Sequence, residues 1–194
     1  MKQTLTVLLG VAAVLVPCLA LADATDYSYI EGSYLSGERK DLDVNGAGAS
    51  VSFRLTDQLF LLGKISDISQ DDKLFSSNHS EELYQAGAGF VVLENQTGGL
   101  YGTVSYIEGR AGSSESFRGH DLGIGVRVNL SQEMELRVAL NRTELTEGRG
   151  GRTMPSAELV YKFLGQLAGV ANYSYNTRDS SDHMMGLGLR FYIF

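Results

Sequence analysis
The sequence predicts an all-β chain: an antiparallel transmembrane up-and-down β-barrel of about ten strands, with eight as the alternative count. Three observations carry that expectation. Apolar and polar residues alternate along most of the chain, with no helical periodicity. The alternating segments run to roughly ten residues, longer than the roughly 5–6 of a soluble strand and matched to the roughly 9–11 that cross a bilayer with tilt. Tight and long connections follow one another in turn, which gathers tight turns at one end and long loops at the other.

The N-terminus is a separate element. MKQTLTVLLGVAAVLVPCLALA places Lys2 before an apolar core from Leu5 to Val16 and closes on Ala20-Leu21-Ala22. That pattern predicts a secretory signal peptide over residues 1–22, cut after Ala22. The core is too short for a membrane helix, and Pro17 interrupts it. Pro17 also precedes Cys18, where a lipid-anchoring box calls for a small residue, so no lipid anchor is expected. Cys18 is the only cysteine, so residues 23–194 are expected to fold as one domain without disulfides. The composition suits strands, with 23 Gly, 10 Tyr and 8 Phe against 2 Pro. A net charge of −7 argues against a nucleic-acid partner.

The first strand is expected near residues 26–35 and the second near 46–56. In the second, Ala49, Val51, Phe53 and Leu55 oppose Ser50, Ser52 and Arg54. A tight TDQ turn at 56–58 leads into a third strand near 58–68. The fourth, near 82–93, and the fifth, near 99–108, flank ENQTG at 94–98. The sixth, near 119–130, sets Leu122, Ile124, Val126, Val128 and Leu130 against Asp121, Gly123, Gly125, Arg127 and Asn129. After SQE at 131–133 the seventh, near 132–144, sets Met134, Leu136, Val138 and Leu140 against Glu135, Arg137 and Ala139. The eighth and ninth, near 155–164 and 166–176, flank LGQ at 164–166. The tenth, near 183–193, sets Met185, Leu187, Leu189 and Phe191 against Gly186, Gly188 and Arg190. Phe194 has the opposite parity from Phe191, so either a bulge resets the register or the strand stops at Phe191 or Ile193. The longer connections are 36–45, 69–81, 109–118, 145–154 and a shorter 177–182, all charged.

Aromatic residues fall near the strand ends. Tyr29, Phe53, Phe90, Tyr101, Phe163 and Phe191 are expected in a girdle at the tight-turn end. Tyr34, Tyr84, Tyr106 and Tyr173 are expected in a second at the long-loop end. Glycine pairs at 46–48, 87–89, 123–125 and 186–188 are expected on the inner face toward the long-loop end. Adjacent side chains or water would fill the space they leave. They are no dinucleotide fingerprint, because no helix follows them.

These features resemble small single-chain β-barrel outer-membrane proteins of Gram-negative bacteria, over the whole mature chain. The opening YSYIEGSY, Tyr27 to Tyr34, also resembles the first strand of a family of small gamma-proteobacterial barrels. The resemblance implies periplasmic tight turns, external loops and an outer-membrane location after Sec-type export. It implies contact with outer-membrane lipid and lipopolysaccharide, a monomer, and no cofactor. A C-terminal strand ending in Phe resembles the signal read by the machinery that inserts such barrels.

With the apolar faces toward lipid, the inner face holds Glu31, Arg54, Lys64, Asp121, Arg127, Glu135, Arg137, Glu158, Lys162 and Arg190. Charges inside a membrane protein are costly unless paired or hydrated. A closed lumen permits both, and Glu31 on the first strand should meet Arg190 on the last. The set reads as an ion-pair network that fills and rigidifies the barrel, with no catalytic or metal site. The expected role is structural or surface-interacting, with loops 36–45, 69–81, 109–118 and 145–154 as the contact surface. One alternative is a narrow pore for small solutes, whose basic lumen would favour anions. Another is a hydrolase or acyltransferase site at the rim, acting on lipid or peptide. His79, His120 and His183 lie near the long-loop end, beside Ser80, Asp121 and Asp182. Adjacent strand residues point to opposite faces, and no G-x-S-x-G is present, so an enzyme is not expected. The acidic pairs Asp71-Asp72 and Glu81-Glu82 are expected to be solvated loop charges. A soluble β-sandwich would invert the two faces.

Overall fold
The computed structural model describes residues 27–39, 42–71, 78–112, 115–146 and 151–193. The expected signal peptide, Asp72 and Phe194 lie outside the described residues.

Ten strands form: β1 (Tyr29–Arg39), β2 (Leu42–Arg54), β3 (Leu59–Asp71), β4 (Asn78–Asn95), β5 (Gly98–Ala111), β6 (Glu115–Asn129), β7 (Met134–Leu145), β8 (Gly151–Leu164), β9 (Leu167–Asn176) and β10 (Asp179–Tyr192). They close into one antiparallel barrel in chain order, with β1 against β10. Ten is therefore the count, and the alternative of eight falls. The β1–β10 register is unbroken from Tyr29 opposite Tyr192 to Glu38 opposite His183. The Ile193 N–H then donates to the Ser28 carbonyl at 2.9 Å. The one register shift of the last strand lies at its start, against β9 between Asp179 and His183, so no bulge resets its C-terminal end, which stops at Tyr192, and full closure leaves it no free edge.

The faces follow the alternation. On β10, Met185, Leu187, Leu189 and Phe191 are exposed on the outer wall, while Arg190 is 1% exposed inside. Tyr34, Phe90, Tyr106, Phe163 and Tyr173 are exposed on the same wall, joined by Tyr161 and Tyr175. Tyr29 and Tyr101 are not in the girdle. Tyr29 meets Tyr192 edge-on at 6.3 Å, and Tyr101 meets Phe60 likewise at 6.3 Å, all within the lumen. The reason is parity: Tyr29 shares a face with the buried Glu31, and Tyr101 with the buried Ser105 and Ile107. Phe53 stands opposite the outward Leu61 and keeps the outer-wall parity, but it is buried there.

Two further expectations are corrected. The long connections are mostly strand. β3 pairs with β4 out to Asp71 opposite Asn78, and β5 with β6 out to Ala111 opposite Glu115. The apolar face of a strand ends where lipid ends, but backbone pairing does not have to. Glu38, Asp43, Asp67, Glu82 and Arg118 carry the ladders onward as charged wall. The glycine pairs do face inward, but not all lie toward the loop end. A Cβ at Gly89 would stand 2.0 Å from the Phe60 ring, and one at Gly125 would stand 2.4 Å from the Tyr101 ring. These glycines sit in the tight-turn half and make room for inward aromatic rings.

Short polar side chains hold the tight turns by accepting backbone N–H bonds. Thr56 Oγ1 accepts from Leu59 at 3.0 Å, Asn95 Oδ1 from Thr97 at 2.9 Å, and Ser131 Oγ from Met134 at 3.0 Å. The fourth turn uses Gly165 at φ +37°, a left-handed conformation that glycine adopts without penalty.

Candidate functional site
Eight charges of alternating sign wind around the tight-turn half of the lumen. Arg54 on β2 donates to Glu94 at 2.7 Å, and Glu94 also pairs with Arg127 on β6. Arg127 lies 4.0 Å from Glu135 on β7, which pairs with Arg137 on the same strand. Arg137 reaches Glu158 on β8 at 3.5 Å. Arg190 on β10 donates to Glu158 at 2.8 Å and, through Nε, to Glu31 on β1 at 2.9 Å. The belt thus runs from β2 through the even-numbered strands and β7, and ends across the β1–β10 seam.

All four arginines of the belt face two tyrosines at the start of the described chain. Arg54 and Arg127 stand 5.3 and 4.9 Å from the Tyr27 ring centre. Arg137 and Arg190 stand 5.6 and 4.0 Å from that of Tyr29. A guanidinium over an aromatic face is attracted by the ring quadrupole, more so when desolvated. Tyr27 also stacks on Phe60 at 4.7 Å, with Val91 buried beside them.

Above the belt lies a cavity of about 390 Å³. Arg39, Glu81 and Asp182 line it at the long-loop end, and Tyr29, Leu62 and Lys64 line its inner end. Arg39 pairs with Glu81 there and lies 3.9 Å from Asp182.

Residues 6–191 match the model of the outer membrane protein beta-barrel domain. The chain belongs to that family. It is an integral outer-membrane β-barrel. Its fold is similar to that of an outer membrane channel from Pseudomonas putida F1, with a TM-score of 0.56 at 10% identity over 88% of this chain and 97% of that one. That likeness shows the fold alone. The KdgM porin matches with a TM-score of 0.48 at 12% identity, over 84% of this chain and 98% of that one. The outer membrane protease OmpT from Escherichia coli matches with a TM-score of 0.48 at 8% identity, over 87% and 94%. No curated protein matches in sequence.

In this outer-membrane barrel the sequence-derived lumen residues divide into three groups. Glu31, Arg54, Arg127, Glu135, Arg137, Glu158 and Arg190 meet in the belt. Asp121 lies apart and accepts from Thr143 Oγ1 at 2.7 Å, while the Lys162 ammonium stands 4.9 Å from the Tyr192 ring centre. Lys64 lines the cavity and makes no ion pair among the described residues. Sequence reasoning missed Glu94, because a register shift between Val91 and Leu93 breaks the alternation and turns its carboxylate inward. It also missed Tyr27, which precedes β1 and has no ladder to fix its face.

The histidines do not converge. The His120 ring lies 6.0 Å from that of Tyr106, and the His183 ring 6.2 Å from that of Tyr173, on strands that are not neighbours. The side chain of His79 lies outside the described residues. No cluster of three metal-ligating side chains occurs among the described residues.

Proposed function
We propose that this barrel is a structural, surface-interacting element of the outer membrane, with a lumen closed toward the periplasm and no enzymatic role. It is exported by the Sec route, cut after Ala22 and inserted by machinery that reads the C-terminal strand. It then stands as a monomer among outer-membrane lipid and lipopolysaccharide. The observation that supports this reading is the belt. A conducting lumen needs hydrated charges beside an open path, whereas here alternating charges neutralise one another around two tyrosine rings. Glu94 adds an anion to the belt, and Glu81 and Asp182 flank the lumen cation Arg39, which reduces the basic excess that favoured an anion pore. The separated histidines support the non-enzymatic part.

Purified protein in planar bilayers tests the closed lumen. The expected outcome is no sustained conductance. Steady conductance with an anion preference that Arg127→Glu reverses would replace this reading with the narrow pore. For the enzymatic part, a lipid-A profile unchanged by deletion is expected. A product lost in His120→Ala or His183→Ala would overturn it.

A further inference from the structure
Tyr27 and Ser28 come before β1, yet Tyr27 is 3% exposed. Its ring is held on several sides: stacked on Phe60 at 4.7 Å, edge-on to Tyr101 at 6.3 Å, and faced by Arg54 and Arg127. Its buried hydroxyl has no hydrogen-bond partner among the described residues. The Tyr27 side chain is therefore held through the faces and edges of its ring, while the backbone behind it is fixed at Ser28, whose carbonyl accepts from the Ile193 N–H at 2.9 Å and whose Oγ accepts from the Arg54 N–H at 3.1 Å.

The cavity places this ring on the route through the barrel. The cavity lining reaches Tyr29 and Leu62 and includes none of Tyr27, Phe60, Tyr101, Arg54 or Arg127. Leu62 packs against the cluster of Tyr27, Phe60 and Val91. The Tyr27 layer thus separates the cavity from the tight-turn mouth. Arg54 and Arg127 both pair with Glu94, so each has a charged partner other than the Tyr27 ring. The space left by the ring would be bordered by Phe60, Tyr101 and Val91 on one side and by the Arg54 and Arg127 guanidinium groups on the other, and those ions give water the polar partners it needs to enter.

We infer that Tyr27 is a removable stopper, and that its withdrawal turns the blind lumen into a passage for small hydrated ions. The inference rests on the closed-lumen reading above and adds to it the residue that does the closing. Tyr27 lies before β1 and outside the pairs that run from Tyr29–Tyr192 to Glu38–His183, so its ring can leave its site with that register intact.

The test is conductance in planar bilayers of protein purified from outer membranes. A heat-dependent gel shift checks that each variant is folded. Wild type is expected to stay closed. Tyr27→Phe is expected to stay closed too, because the ring that fills the layer is kept and the lost hydroxyl has no partner among the described residues. Tyr27→Ala is expected to conduct at least tenfold above wild type. Tyr27→Cys is expected to open likewise, to close when a benzyl thiosulfonate reagent rebuilds a ring on the sulfur, and to reopen on reduction. The only native cysteine, Cys18, lies in the segment expected to be removed. If wild type is closed and folded Tyr27→Ala is equally closed, the stopper is refuted while the closed lumen stands. If wild type conducts as well as Tyr27→Ala, both fall.

Discussion
Arg190 is the residue on which closure of the ring is most exposed to test. It is 1% exposed, donates to Glu31 and Glu158, and lies 4.0 Å from the Tyr29 ring centre. Removing one member of a buried ion pair leaves the other uncompensated, at a cost of roughly 3–5 kcal/mol. Arg190→Met should therefore lower unfolding free energy by about 3 kcal/mol, read from urea unfolding in lipid vesicles. Adding Glu31→Gln removes both charges together and should restore part of the loss. A loss under about 1 kcal/mol for Arg190→Met would mean that the backbone ladder alone closes the barrel. The inner glycines offer a paired test. A Cβ at Gly89 would collide with the Phe60 ring, whereas one at Gly32 would meet nothing within 4 Å. Gly89→Ala should cost about 1–3 kcal/mol by overpacking, and Gly32→Ala should stay within about 0.5 kcal/mol, in the same unfolding assay. Equal costs would show that the ring can move aside freely. The Glu31–Arg190 contact was legible in the sequence, because parity sets the face and closure sets the neighbour. Tyr27 was not, because parity says nothing about a side chain outside a strand.

At the scale of elements, β4 shows what alternation reads and what it misses. Inward residues run Leu83, Gln85, Gly87, Gly89 and Val91, and strict alternation would then send Glu94 outward. Val92 has no cross-strand partner, and pairing resumes at Leu93 opposite Leu100. The extra residue keeps both Val91 and Glu94 inside. Deleting Val92 should therefore regularise the ladder and still leave Glu94 facing Arg54 and Arg127. The expected outcome is a folded, heat-modifiable barrel whose stability changes by less than about 1 kcal/mol. If the deletion destabilises the barrel as much as Glu94→Ala does, the bulge itself supports the belt. Strand ends were illegible for a related reason. Apolar faces mark how much of a strand meets lipid, whereas pairing continues wherever two backbones stay in reach. That is why β4 extends to 18 residues, and why most of the expected loop surface is charged strand.

At the scale of the whole molecule, the outer wall beyond the aromatic ring is electrically lopsided. Among the described residues, Glu38, Asp43, Asp67 and Glu82 stand on β1 to β4, while Arg110, Arg118 and Arg142 stand on β5 to β7. Arg118 pairs with Glu108 at 3.7 Å and Arg142 with Glu144 at 3.4 Å, but these side chains are 43–69% exposed. Such pairs hold little energy and reorganise easily when a stronger anion arrives. The wall beneath them carries the exposed Val104, Leu122, Ile124 and Leu140, so the β5–β7 flank joins an apolar surface to arginines. That combination suits an amphiphile with acyl chains and phosphates, the chemistry of lipopolysaccharide. Replacing Arg110, Arg118 and Arg142 together by Gln should reduce lipopolysaccharide retained during detergent purification severalfold. The same change at Glu38, Asp67 and Glu82 should not. The difference should shrink as salt rises, because exposed charges are screened beyond roughly 10 Å at 0.1 M ionic strength. Equal retention by both triple variants would leave lipopolysaccharide contact resting on the apolar band alone, with no preferred flank.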